Sequence, residues 1–158
     1  MSSHEVQGAE PPDIAVANFE RGYNCAEAIL SALSPGGARA IPDAQRAGTA
    51  LGAGLARWGL VCGCLTGCAV AVGLRLGRVD PEDTESKELC YRVIGNVMER
   101  FERAHGTVEC ARLTGLDFRQ PNPQQELDRV HAEVCTKLVR FVAKAALAEL
   151  EAAERGSL

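Results

Sequence analysis

Cysteine is the residue type in this chain best suited to chemistry, and it occurs 7 times, at positions 25, 62, 64, 68, 90, 110 and 135. The densest group is Cys62-Gly63-Cys64-Leu65-Thr66-Gly67-Cys68. On a helix Cys64 and Cys68 share a face while Cys62 points elsewhere, so regular helix cannot present all three thiols to one point. The sequence contains no C-x-x-C pair, the framework of zinc ribbons and ferredoxin-type loops. Any cluster site must therefore assemble from distant segments. Cys25 follows Asn24, a residue suited to capping a helix, and Cys110 follows Thr107 by three. In a first helical turn, free N–H groups and the helix dipole stabilise a thiolate and lower its pKa, which serves thiol redox chemistry and metal ligation alike. An inert buried thiol is the commoner fate of any single cysteine. Two cysteines at helix starts and a third flanked by glycine favour working thiols.

Other groups offer less. His131 and Cys135 are four apart and could share a helix face, as mixed ligands or as a thiol and its base, although a partly exposed helix residue is the plainer expectation for His131. Glu82, Asp83 and Glu85 complement a helix N-terminus rather than form a catalytic acid pair. No Walker loop, dinucleotide fingerprint, nucleophile elbow or H-E-x-x-H motif occurs.

Composition narrows the class. A length of 158 residues suits one domain that can bury a core without staples. Its 7 cysteines fall short of the roughly 8–10% of a disulfide scaffold, and an odd number cannot all pair within one chain. With 21 Asp+Glu against 17 Lys+Arg, the net charge of −4 argues against a nucleic-acid surface. The first residues lack the basic and apolar regions of a signal peptide, so a reducing, cytoplasmic location is expected. Trp58 to Leu74 runs 17 residues without a charge, at the lower edge for a membrane span. Its four glycines, three cysteines and flanking arginines read instead as a buried central helix.

Helical periodicity dominates the elements that must position the thiols. Residues 1–12 read as a flexible tail and 13–155 as a single domain. A first helix from Asp13 breaks near Gly22 and restarts at Asn24, where Glu27 completes a capping box; Ser34-Pro35-Gly36-Gly37 ends it. A small-residue helix is expected over 43–56, then a glycine-rich helix from Gly59 to Leu76 with Gly77 as its cap. In that helix Gly59, Gly63 and Gly67 would form a groove for a close neighbour, either another backbone or a bulky inorganic group. Asp80-Pro81-Glu82-Asp83 should open a long helix with a stripe of Leu89, Val93, Val97 and Phe101, stopped by His105-Gly106. Thr107 would cap a short helix carrying Cys110 and Leu113 and ended by Gly115. Residues 118–125 read as a loop, and the last helix starts near Glu126. The expected fold is all-α: a compact, bundle-like domain of five to six helices with a glycine-rich central helix.

These residues also carry a resemblance. Gly22-Tyr23-Asn24-Cys25-Ala26, Cys62-Gly63-Cys64-Leu65-Thr66-Gly67, Cys110 and Cys135 are similar to the signature of the C_GCAxxG_C_C family of redox-active proteins, over roughly residues 15–150. The resemblance sorts the cysteines: Cys25, Cys62, Cys110 and Cys135 match the family positions, Cys64 stands where the Cys-Gly-Ala-x-x-Gly motif has alanine, and Cys68 and Cys90 are extra. It implies redox activity without fixing a substrate.

Two mechanisms remain open for a site converging from Cys25, Cys62, Cys110 and Cys135. The four could be redox thiols exchanging between dithiol and disulfide, with no cofactor, or they could ligate an iron–sulfur cluster, with Gly63, Gly67 and Cys64 against it. Either would make the chain an oxidoreductase or electron carrier serving a redox partner protein. The alternative is a structural zinc or helix-docking module without redox activity, and small-residue faces would also suit a homodimer.

Overall fold

The computed structural model describes residues 8–36 and 42–158, and among these residues the fold is all-α. Residues 1–7 of the expected tail, and Gly37 of the expected stop, lie outside the described residues. Helix α1 (Pro11–Glu20) starts two residues before the expected boundary, because Pro11 and Pro12 suit the first helical positions, where no backbone donor is needed. Helix α2 (Cys25–Leu33) has the expected capping box. Asn24 Oδ1 accepts from the N–H groups of Ala26 and Glu27 at 2.9 and 3.0 Å, and the Asn24 N–H donates to Glu27 Oε2 at 2.8 Å. Ser34 ends α2.

Seven of the nine α2 residues are buried, which makes α2 the helix enclosed on most sides. It packs against α1, α4 (Gly63–Leu76) and α8 (Thr136–Glu154). Asn18 of α1 donates to Ser31 Oγ of α2 at 2.9 Å, so the buried polar atoms at this contact satisfy one another. Helix α5 (Thr84–His105) lays Val93, Val97 and Phe101, all fully buried, toward α4 and α8. It begins later than Asp80-Pro81 suggested, because Asp83 takes the capping role and accepts from the Ser86 N–H at 3.0 Å. Asp80 Oδ1 instead closes a turn with the Glu82 N–H. The expected stop is present, with Gly106 in the left-handed region at φ 78°.

The largest departures fall between residues 43 and 62. Helix α3 (Pro42–Gly48) is short and gives way to a 3-10 turn at Thr49–Leu51. The chain then enters five consecutive left-handed residues: Ala53, Gly54, Leu55, Ala56 and Arg57, with φ of 53°, 68°, 67°, 48° and 72°. Four of these are not glycine, and each costs about 1–2 kcal/mol in that conformation. Backbone bonds across the turn offset part of this: Ala56 N–H to Ala50 O at 2.8 Å, Leu60 N–H to Gly54 O at 2.9 Å and Gly59 N–H to Ala53 O at 3.2 Å. The expected helix from Gly59 therefore starts only at Gly63, and the expected buried stretch from Trp58 is exposed at its beginning. Leu55, Trp58 and Leu60 are 44%, 62% and 51% exposed, and Arg119 lies over the Trp58 ring. Among the described residues no helix is long and apolar enough to cross a membrane.

Helix α6 (Cys110–Thr114) is ended by Gly115 in the left-handed region. Thr107 does not cap it; the Thr107 hydroxyl accepts from the Glu109 N–H two residues on. The loop before α7 (Gln124–Val130) ends slightly earlier than expected, and α7 continues through a π-turn at His131–Cys135 into α8.

Candidate functional site: a five-cysteine cavity

Each cysteine of the site is placed by a separate local device. The capping box sets Cys25 as the first residue of α2. The same Asn24 side chain donates to Thr49 O at 3.0 Å, and Thr49 Oγ1 donates to Glu27 Oε1 at 2.7 Å. The start of α2 is thereby tied to the segment that leads into the left-handed turn. Cys62 and Cys110 are held by a short antiparallel pairing centred on Val61 and Glu109, in which the Cys62 N–H donates to Val108 O at 2.8 Å and the Cys110 N–H to Leu60 O at 2.6 Å. Cys64 sits in the first turn of α4. Cys135 ends the π-turn, a wide turn of the kind often found where a helix contributes to a site.

These five cysteines line one cavity of about 50 Å³. The rest of its wall is mostly apolar, from Ala53, Leu113, Phe118 and Leu138, with the Thr114 side chain beside them. Sequence reasoning assigned Cys62 and Cys64 to different faces of one helix. Because α4 starts at Gly63, Cys62 lies outside the helix and both sulfurs reach the cavity, while Cys68, one turn on from Cys64, is buried in the core instead. Cys90, on α5, is also absent from the wall. His131 is exposed, packs edge-on against Phe19 at 5.4 Å and does not line the cavity.

The glycines act by allowing close approach. A Cβ on Gly63 would overlap Cys25 Sγ, and one on Gly67 would come within 2.5 Å of Ala26 O. Gly63 and Gly67 thus let α2 lie directly on α4, whereas Gly59 is outside the helix, so the expected three-glycine groove is a two-glycine one. Gly67 meets backbone rather than the cavity. Gly54, at the inner side of the left-handed turn, is seated where a Cβ would come within 2.7 Å of Cys110 Cβ.

The thiols differ sharply in proton affinity. A hydrogen bond from Cys64 lowers the Cys25 thiol from its ordinary value of 9.0 to about 7, and the N–H groups of Ala53, Ala26 and Cys25 itself assist against the opposing effect of burial. Cys64 is raised well above its ordinary value by sharing hydrogen bonds with Cys25 and Cys62, and by burial. Burial pushes Cys110 and Cys135 up to about 12, with the charges of Cys62 and Cys25 adding to it. The expectation of a lowered pKa at both helix starts is therefore met at Cys25 and overturned at Cys110. Amide donors reach the sulfur at Cys25, and desolvation dominates at Cys110. Ala53 was not anticipated as a donor; its signal was the glycine density around it, with Gly52, Gly54 and Gly59 in a stretch otherwise resembling helix.

A single metal ion has no prearranged ligand set here: among the described residues no three Cys, His, Asp or Glu side chains are grouped to hold one. No curated protein and no solved structure matched the chain. Residues 23–149 match the model of a family described as "Putative redox-active protein (C_GCAxxG_C_C)". With the match spanning most of its length, from just before Cys25 to beyond Cys135, the chain belongs to that redox family.

Proposed function

We propose that the protein works by thiol–disulfide exchange, with Cys25 as the attacking thiolate. One observation carries this reading: Cys25 is partly exposed, hydrogen-bonded by a neighbouring thiol, and lowered to about 7, so near neutral pH about half of it is nucleophile. The Cys25 thiolate attacks one sulfur of a disulfide acceptor, forms a mixed disulfide and releases the first acceptor thiolate. A second cavity cysteine gives its proton to that thiolate and attacks Cys25 Sγ. A disulfide forms within the chain and the second acceptor thiol leaves. Two electrons pass from two cysteine thiols to the acceptor, and the protein needs a separate dithiol reductant to repeat the cycle.

A second reading is favoured by Cys110 and Cys135, which line the same cavity but which exchange does not use. Thiolates are the ligands of iron–sulfur clusters, and each iron takes its own sulfur, so four cysteines around a cavity fit a cluster without converging on one point. Cys25, Cys62, Cys110 and Cys135 would hold it, and when bound it would supply one-electron transfer. The chain's own contribution is a dry wall with backbone donors at Cys25.

Anaerobic purification with iron supplied, followed by iron and sulfide assay and disulfide mapping, decides between them. Exchange requires a colourless protein with a reversible internal disulfide, undiminished in Cys110→Ser and Cys135→Ser. Stoichiometric iron and sulfide, lost in those same two variants, would replace it with the cluster reading.

A further inference from the structure

The exchange cycle leaves the second thiol unnamed; with Cys110 and Cys135 outside the cycle, the cavity offers Cys62 and Cys64. We propose that Cys64, at the position where the family motif has alanine, is the resolving thiol. It attacks Cys25 Sγ in the mixed disulfide, the acceptor thiol departs, and the product is a Cys25–Cys64 disulfide. This rests on the exchange reading and adds a residue to it.

Contact selects Cys64. Cys64 is the thiol hydrogen-bonded to Cys25, and it also meets Cys62. Cys25 Sγ rests over Gly63, directly against the first turn of α4 where Cys64 lies, and the missing Cβ at 63 makes that approach possible. Accessibility sets the order of events. Cys64 is 1% exposed and an external disulfide cannot reach it, while Cys25 is partly exposed and open to an external disulfide. Cys110 and Cys135, on other elements of the wall, lack such a contact with Cys25 among its hydrogen-bond partners.

The test uses the full-length reduced chain and oxidised glutathione under argon, with acid quenching and mass mapping of proteolytic fragments. Fragmentation of the linked peptides must separate Cys62 from Cys64. In the unaltered chain the expected product links Cys25 to Cys64, with two glutathione thiols released per chain. In Cys64→Ala, checked for native circular dichroism, release is halved and a glutathione adduct persists at Cys25. A Cys25–Cys62 linkage in the unaltered chain, or an adduct that clears equally fast in Cys64→Ala, overturns the assignment while leaving exchange intact. If Cys25 acquires no glutathione in either protein, the exchange reading fails and the assignment with it. Mapping of the unaltered chain does not depend on any variant folding.

Discussion

Gly67 and Gly73 lie on the same helix, and the same substitution should have opposite effects at the two. Replacing glycine by alanine inside a helix gains about 1 kcal/mol of helix propensity. At Gly73 a new Cβ meets nothing within 4 Å, so Gly73→Ala should be about 1 kcal/mol more stable. At Gly67 the Cβ would come within 2.5 Å of Ala26 O and 2.8 Å of Ala26 Cα, where ordinary contact begins at 3.4 Å. No side chain can rotate away, because the obstacle is the backbone of α2. Helix α2 must retreat by close to 1 Å, the difference between 3.4 and 2.5 Å. Overpacking typically costs about 1–3 kcal/mol, and a backbone obstacle puts Gly67→Ala near the upper end, for a net loss of about 2 kcal/mol after the propensity gain. Urea denaturation reads the difference: with a slope of about 1–3 kcal/mol/M, the two midpoints should separate by about 1 M or more. Because α2 carries Cys25, the same retreat draws its sulfur away from Cys64, and Gly67→Ala should also raise the pH at which Cys25 becomes reactive. Equal midpoints, or Gly67→Ala as the more stable of the two, would refute the argument that α2 and α4 meet at glycine contacts.

Two predictions concern protons. Alkylation of Cys25 by iodoacetamide, followed by mass mapping, should show a pH midpoint near 7, with about half the sites ionised there against about 1% for a thiol at 9.0; a midpoint at or above 9 would contradict the donor set around the sulfur. Since this group is lowered on folding, its stabilisation is complete above pH 9 and is lost as the pH falls through 7. Cys68 has the opposite sign, because burial raises it from 9.0 to about 12 and its contribution fades as the pH rises from 9 toward 12. At pH 10 this loss amounts to about 1 kcal/mol, and Cys68→Ala should flatten that part of the stability curve; an unchanged alkaline slope would count against burial of the thiol.

Legibility from sequence followed the range of the forces involved. The start of α2 was readable to the residue, since Asn24 and Glu27 lie three apart and satisfy each other's backbone, and the close of α5 at Gly106 was equally local. The burial stripe of Val93, Val97 and Phe101 followed from periodicity alone. The start of α4 was misplaced by four residues because residues 59–62 are apolar and small, like a helix. They are instead drawn into pairing with residues 108–111, more than forty residues away, which no local pattern encodes. That displacement decided which cysteines meet. With α4 starting at Gly59, Cys62 would point away from Cys64; with the actual start it lies outside the helix and joins Cys64 and Cys25 at the cavity. The fate of Cys110 was hidden for a related reason, since being first in a helix is legible and being desolvated by a distant wall is not.

The left-handed turn is the point where local preference and tertiary demand conflict most. Ala53, Leu55 and Ala56 belong to residue types that favour ordinary helix, and four non-glycine residues in this conformation cost on the order of 4–8 kcal/mol together. Such strain persists only where the surroundings over-determine the backbone. Here they do so from three sides: the bonds across the turn itself, the Thr49–Asn24–Glu27 network at its entry, and the seat of Gly54 against Cys110. The return is local to the site. The turn directs the Ala53 N–H at Cys25 Sγ while presenting Leu55 to solvent. A right-handed continuation of α3 would commit the Ala53 amide to its own helix and leave the sulfur with fewer donors. The strained turn thus helps to hold Cys25 as an ionisable thiol of the cavity, whereas burial keeps Cys110 and Cys135 protonated.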